Sequence, residues 1–233
     1  MNSVNGRART ALIVGASRGL GLALTEAFWS RGWRVIATQR GPAPQLQALA
    51  ARAEDAISLV QMDVTSADDL AQLQGIGDGG MIDLLLVNAG LSIARDATPA
   101  SAETDDFVAM TLTNALFPVR IAEKLRACVR AGGVIAFMSS ELASISSNPG
   151  THDLYSASKS ALNMLVRCFA TRDPERGDAV ILLAPGWVRT AIGGSAALLS
   201  VEEVVPDLAT TLERNLDVPG FRFIDRFNRP VPW

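Results

Sequence analysis

The chain has 233 residues, of which 48% are hydrophobic and 19% charged, with a formal net charge of −3. That composition describes a globular protein with enough apolar surface for a sizeable core, and its net charge argues against nucleic acid, which wants a basic face. One histidine excludes a His-rich metal site, and no run approaches the ~18 uninterrupted apolar residues of a membrane span.

Short β runs and helical patterns alternate from end to end. The strands expected are Ala11–Val14, Arg34–Thr38, Ile57–Gln61, Ile82–Val87, Gly133–Ser139, Ala179–Ala184 and Phe221–Ile224. Helical patterns fall near Leu20–Ser30, Gln45–Ala53, Ala67–Gln74, Thr104–Arg130, Leu154–Thr171 and Val201–Arg214. Runs such as Leu84–Val87 and Val134–Phe137 are apolar at every position, as in strands of a parallel sheet covered by helices on both sides. The clusters at Gly75–Gly80, Ser144–Gly150 and Gly193–Ser195 read as loops, with no linker or repeat. One doubly wound α/β domain spanning residues 1–233 is the expectation.

Cys128 and Cys168 lie in apolar helical stretches and read as buried thiols in a reducing compartment. Arg7 and Arg9 precede an apolar run that Gly15 cuts, too short for a signal-peptide core. A cytoplasmic location follows as an expectation.

The first strand runs into Gly15-Ala16-Ser17-Arg18-Gly19-Leu20-Gly21 and then a helix. Glycines there let backbone amides approach a pyrophosphate at the positive end of the helix dipole; a plain tight turn is the structural alternative. About twenty residues on, where a carboxylate would grip a free ribose 2′-hydroxyl, the second strand ends Thr38-Gln39-Arg40. Arg40 and Arg18 offer two guanidinium forks for a 2′-phosphate, unless they are merely solvated. The preference reads as NADP(H).

The only tyrosine, Tyr155, stands four residues before Lys159, one of only two lysines. On a helix this spacing puts both on one face. A phenol beside an ammonium is a proton donor whose pKa the positive charge should lower. The alternative is an ordinary solvated face.

Taken together, Gly15-x-x-x-Gly19-x-Gly21, Asp63-Val64, Asn88-Ala89-Gly90, Asn114, Ser140, Tyr155-x-x-x-Lys159 and Pro185-Gly186 resemble the short-chain dehydrogenase/reductase family across nearly the whole chain. The stretches Ser139-Ser140, Tyr155 to Asn163 and Pro185 to Thr190 are closest to its C-factor-like carbonyl reductases, with Gly193-Gly194, Val201-Glu202-Glu203 and Pro232-Trp233 extending the likeness. The resemblance implies a Rossmann-type sheet of about seven strands and a homodimer or homotetramer. It also implies roles. Tyr155 would be general acid, and Ser140 would hold the carbonyl oxygen. Lys159 would bind the nicotinamide ribose, and Asn114 would keep a relay water. Asp63 and Val64 would meet the adenine, and Asn88, Ala89 and Gly90 the ribose side. Pro185 and Gly186 would contact the cofactor, and Val188 and Thr190 would hold the carboxamide, in a substrate loop near 186–200.

Several positions depart from the family pattern. Val14 stands where the family often has Thr, so a supporting hydrogen bond is expected to be missing. Ser140 precedes Tyr155 by fifteen residues rather than the usual thirteen, which enlarges the Ser144–Asp153 loop and leaves Ser139, Ser146 and Ser147 as alternatives. Ala191 replaces an acid common in the C-factor-like group. Asn114 could be only a satisfied helical amide, and Ser140 only a turn cap. Leu91, Ser92, Glu141, His152, Trp187 and Ala191–Leu199 would wall the pocket, although His152 could equally be a surface residue. The leading expectation is an NADPH-dependent carbonyl reductase acting on a small carbonyl or alcohol substrate. A cofactor-bound sensor or signalling protein with little turnover is the alternative, and the Asn88-Ala89-Gly90 and Pro185-Gly186 marks argue against a Rossmann-type transferase.

Overall fold

The computed structural model describes residues 7–66, 68–69 and 82–233. Its strands are β1 (Thr10–Val14), β2 (Arg34–Gln39), β3 (Ile57–Gln61), β4 (Ile82–Val87), β5 (Val129–Met138), β6 (Ala179–Ala184) and β7 (Gly220–Asp225). They form one seven-stranded sheet in the order β3-β2-β1-β4-β5-β6-β7, parallel at every pairing. All seven runs expected from the sequence are strands. Their apolar character has the expected cause, because successive residues feed opposite faces. Ala11 and Ile13 enter a core with Leu24, Phe28, Leu208 and Leu212, while Leu12 and Val14 enter another with Ile121, Leu125, Leu162 and Val166. Each such fully buried Leu or Ile contributes roughly 1.5–3 kcal/mol.

The helices are α1 (Gly19–Ser30), α2 (Pro44–Arg52), α3 (Thr104–Thr111), α4 (Phe117–Leu125), α5 (Asp153–Thr171) and α6 (Val201–Arg214). A capping box, Ser200 with Glu203, starts α6. The helix expected over Ala67–Gln74 lies outside the described residues, apart from Asp68 and Asp69.

Two expectations need correction. The helix read over Thr104–Arg130 stops at Leu125, and a π-helical turn, Leu112–Leu116, divides it. Pro118 supplies a reason: it has no N–H to donate to the carbonyl of Asn114, four residues back. The thiols also differ in environment. Cys128 is buried, but Cys168 is exposed, because the helix face carrying it looks away from the sheet.

At the N-terminal ends of the central strands, Asp83 is fully buried. It accepts from Thr10 N at 2.8 Å, Arg7 Nη1 at 3.0 Å and Arg130 Nε at 2.7 Å. Two guanidinium groups thus compensate a carboxylate that burial alone would penalise, and β1 is tied to β4. At the opposite ends of those strands the chain order reverses, so the first turns after β1 and β4 diverge and leave a crevice. Among the described residues no helix is long and apolar enough to cross a membrane.

Candidate active site

The crevice begins with the glycine turn after β1. Gly15 has φ +87°, and a Cβ there would stand 2.8 Å from the Ala89 Cα. At Gly21 a Cβ would meet the Gly15 carbonyl oxygen at 2.1 Å, so only glycine lets α1 start this close to β1. Both polar groups of Gly15 are engaged. Its N–H donates to Thr38 Oγ1 at 3.0 Å, and its carbonyl accepts from Asn88 Nδ2 at 2.8 Å. The support expected to be lost with Val14 is therefore supplied from β2. No side chain caps α1 at Arg18, and its first turn carries no acid, so its leading amides suit an anion.

Arg18 and Arg40 are exposed, and among the described residues neither guanidinium has a hydrogen-bond or ion-pair partner. Arg40 acts on Asp63 through space. The Thr65 amide and hydroxyl, and more weakly Arg40, hold the Asp63 carboxyl below its ordinary range. Asp63 Oδ1 accepts both Thr65 bonds, at 2.9 and 2.7 Å. Val64 is half-buried against the neighbouring core. These residues fit a phosphorylated dinucleotide: an uncapped helix start, a glycine cradle, two uncommitted cations and a carboxylate at the end of β3.

Gly90, after β4, leads to the reacting end. A Cβ on Gly90 would lie 3.4 Å from Asn114 Oδ1, 3.5 Å from Ile192 Cδ1 and 3.7 Å from Lys159 Nζ. Asn114, fully buried in the π turn, clamps the Leu91 peptide: Oδ1 accepts from Leu91 N and Nδ2 donates to Leu91 O, both at 2.7 Å. Its Nδ2 also reaches Ser158 Oγ at 3.0 Å. The side chain is thus fully committed to structure. Its main-chain carbonyl is one that Pro118, lacking an N–H, cannot serve in the usual i+4 bond.

The four serines sort themselves by partner. Ser139 is buried and donates to Asn163 Oδ1 at 2.7 Å. Ser146 and Ser147 bond to Ser144 in the enlarged loop, which Asn148 also knits together through Leu142 O and Ser156 Oγ. Ser140 caps a short turn through Leu142 N and lies against the Tyr155 hydroxyl, where it eases ionisation. His152 is exposed, with φ +56°, immediately before α5.

Burial dominates the two titratable groups here. It pushes the Tyr155 hydroxyl up to about 12, the neighbouring Ser140 acting the other way. It pushes Lys159 down to about 8. The expectation that Lys159 lowers the Tyr155 pKa is not met in this structure. Lys159 Nζ lies 5.8 Å from the centre of the Tyr155 ring and donates to the Met138 carbonyl at 2.8 Å, so its charge is turned toward the end of β5.

The loop after β6 closes the crevice. Pro185 is buried and Gly186 has φ +87°. Val188 bridges to Leu199, the Thr190 hydroxyl accepts from Gly193 N at 3.1 Å, and Trp187 Nε1 donates to Gly193 O at 2.9 Å. A Cβ on Gly19 would fill the gap to Thr190 Cγ2, at 3.5 Å. From the other wall, Arg95 Nη2 donates to the Ala191 carbonyl at 2.5 Å.

Comparison with known proteins gives this geometry a family. The model for short chain dehydrogenase matches residues 9–197. The chain belongs to the short-chain dehydrogenase family. The solved structure of a Burkholderia multivorans protein with bound NADP is 39% identical, with a TM-score of 0.94 over 97% of this chain and 100% of that one. A carbonyl reductase from Pseudomonas aeruginosa PAO1, in complex with NADP, is 42% identical, with a TM-score of 0.89 over the same shares. The C-signal of Myxococcus xanthus is 32% identical over 66% of this chain and 94% of its own length, which places this short-chain dehydrogenase close to the C-factor-like proteins.

Sequence reading missed several residues of this short-chain dehydrogenase. Pro118 was a legible signal for the break at Asn114, since its missing N–H is a local property. Thr38, Ser158 and Arg95 were not legible, because their partners are set by the fold.

Proposed function

We propose that the chain is an NADPH-dependent carbonyl reductase, reversible as an alcohol dehydrogenase, with Tyr155 as general acid. One observation carries the reading: Lys159 lies beside Gly90 in the crevice at the strand ends, 5.8 Å from the ring of Tyr155, whose hydroxyl Ser140 meets. The relatives with bound NADP, one of them a carbonyl reductase, support it.

In this reading Arg18 and Arg40 hold the 2′-phosphate and the amides at the start of α1 hold the pyrophosphate. Asp63, Val64, Asn88 and Ala89 flank the adenine and ribose, and Pro185, Gly186, Val188 and Thr190 flank the carboxamide. Bound NADPH supplies the hydride that the carbonyl carbon accepts. Tyr155 keeps its proton across neutral pH because burial holds its pKa near 12, and it gives that proton to the carbonyl oxygen as charge develops there. Ser140 donates a hydrogen bond to the same oxygen. Lys159, still cationic near pH 7, swings from the Met138 carbonyl toward the ribose and steadies the phenolate. The Asn114 carbonyl holds a water that returns the proton from solvent. Phe107, Val108 and Met164, exposed on α3 and α5, would join two copies as a homodimer.

Tyr155→Phe removes only the hydroxyl. NADPH binding should persist while reduction of a responsive aldehyde, ketone or quinone falls by about 10²–10⁴-fold. Near-normal turnover of the variant would put the acid elsewhere. If the wild-type protein binds NADPH but reduces no member of such a panel, the sensor reading, which the similarity to C-signal favours, takes its place.

A further inference from the structure

One residue bound twice to the glycine turn is one that no functional reading has used. Thr38, at the end of β2, is 1% exposed. Its Oγ1 accepts the Gly15 amide at 3.0 Å, and its main-chain carbonyl accepts the Ala16 amide at 2.9 Å. With Val14 beside it, the turn has no hydroxyl of its own at that position. Thr38 is also two residues from Arg40, whose guanidinium is uncommitted. The Thr38 side chain thus adds a tie, beside its main-chain bond to Ala16, between the turn that carries Arg18 and the strand end that carries Arg40.

We propose that Thr38 is a positioning residue for the phosphorylated dinucleotide. It turns the Gly15 amide inward, away from the ligand, leaves anion binding to the amides that follow, and holds Arg18 and Arg40 at the separation a 2′-phosphate requires. The proposal rests on the assignment of the glycine turn as the phosphate site. Without the hydroxyl, the Gly15 N–H is left in a part-buried place with no acceptor, and it can be satisfied only if the turn rearranges. The ligand would then have to re-order the turn each time it binds.

Thr38→Val keeps the shape and removes the acceptor; Thr38→Ser keeps the acceptor. The wild type and both variants are compared in three measurements. In the ligand-free protein, hydrogen exchange at the Gly15 amide should quicken by about tenfold or more in the valine variant and recover in the serine variant. The NADPH Kd by fluorescence should rise by about 5- to 50-fold in the valine variant, the range expected for an orphaned amide, and return to within about threefold in the serine variant. The NADPH Kd should rise more than the NADH Kd. Unchanged exchange at Gly15 would overturn the clamp whether or not NADPH is the cofactor. Altered exchange with an unchanged NADPH Kd, or an equal loss for both nucleotides, would overturn the positioning role while leaving the carbonyl reductase reading in place. A wild-type protein that binds neither nucleotide would overturn both.

Discussion

Lys159 is 3% exposed and has its ammonium on one carbonyl, so the folded protein carries a charge that water no longer solvates. The distance between its pKa of about 8 and its ordinary value of 10.5, at about 1.4 kcal/mol per unit, amounts to a destabilisation of roughly 3 kcal/mol at neutral pH. Lys159→Met fills the same space without the charge and gives up the bond to Met138, which takes back roughly 1 kcal/mol. The ligand-free variant should therefore be more stable by about 2 kcal/mol, a rise in Tm of about 4–8 °C for a chain of this size. Its NADPH affinity and turnover should both fall. The pH dependence has a defined sign. Between pH 8 and 10.5 an unfolded chain still holds the lysine proton that the folded chain has released, so wild-type stability rises with pH in that window. Tyr155 acts in the opposite sense above pH 10, where the unfolded phenol ionises before the folded one. Urea unfolding at pH 7, 8, 9 and 10 separates these effects: the wild type should gain stability across the series, and the methionine variant should not. A variant less stable than wild type at pH 7, or parallel curves for the two proteins, would refute a desolvated Lys159.

Arg40→Asp should lower kcat/KM for NADPH by about 10- to 100-fold, the scale of a lost charge-assisted hydrogen bond with like charge put in its place, while NADH use holds or rises; equal use of the two cofactors by the wild type would remove the basis for the preference. Light scattering at micromolar concentration should give the mass of two chains, and Met164→Glu should shift it toward one. A wild-type mass of one chain rejects the homodimer.

The helical patterns Thr104–Arg130 and Leu154–Thr171 carry an apolar stripe wider than one sheet contact requires, and its fate shows how far local pattern reaches. Of its residues, Val119, Leu125, Leu162, Val166 and Phe169 are buried within the protein, Leu112, Leu116 and Leu165 are half-buried, and Phe107 stays exposed. A wide stripe on a helix does not reveal whether its own sheet or another chain covers it. Most of this one belongs to the sheet.

The sequence by itself determined the central strands, because a run apolar at every position, such as Leu84–Val87 or Val134–Phe137, can be buried only between two helical layers. It also determined the glycine turn and the Tyr155–Lys159 spacing, both local properties of backbone sterics and helical repeat. Only the tertiary structure decided which of four serines meets Tyr155, since all four have hydroxyls and the outcome depends on what stands opposite each. The same holds for Thr38, whose partner Gly15 is 23 residues away, and for Arg95, whose partner lies 96 residues on. It also reversed the sign of the Tyr155 shift. Spacing shows that a cation is one turn away, but a pKa answers to burial and to where that cation points, and both are fixed only when the strand ends, α5 and the loop after β6 close around the pair.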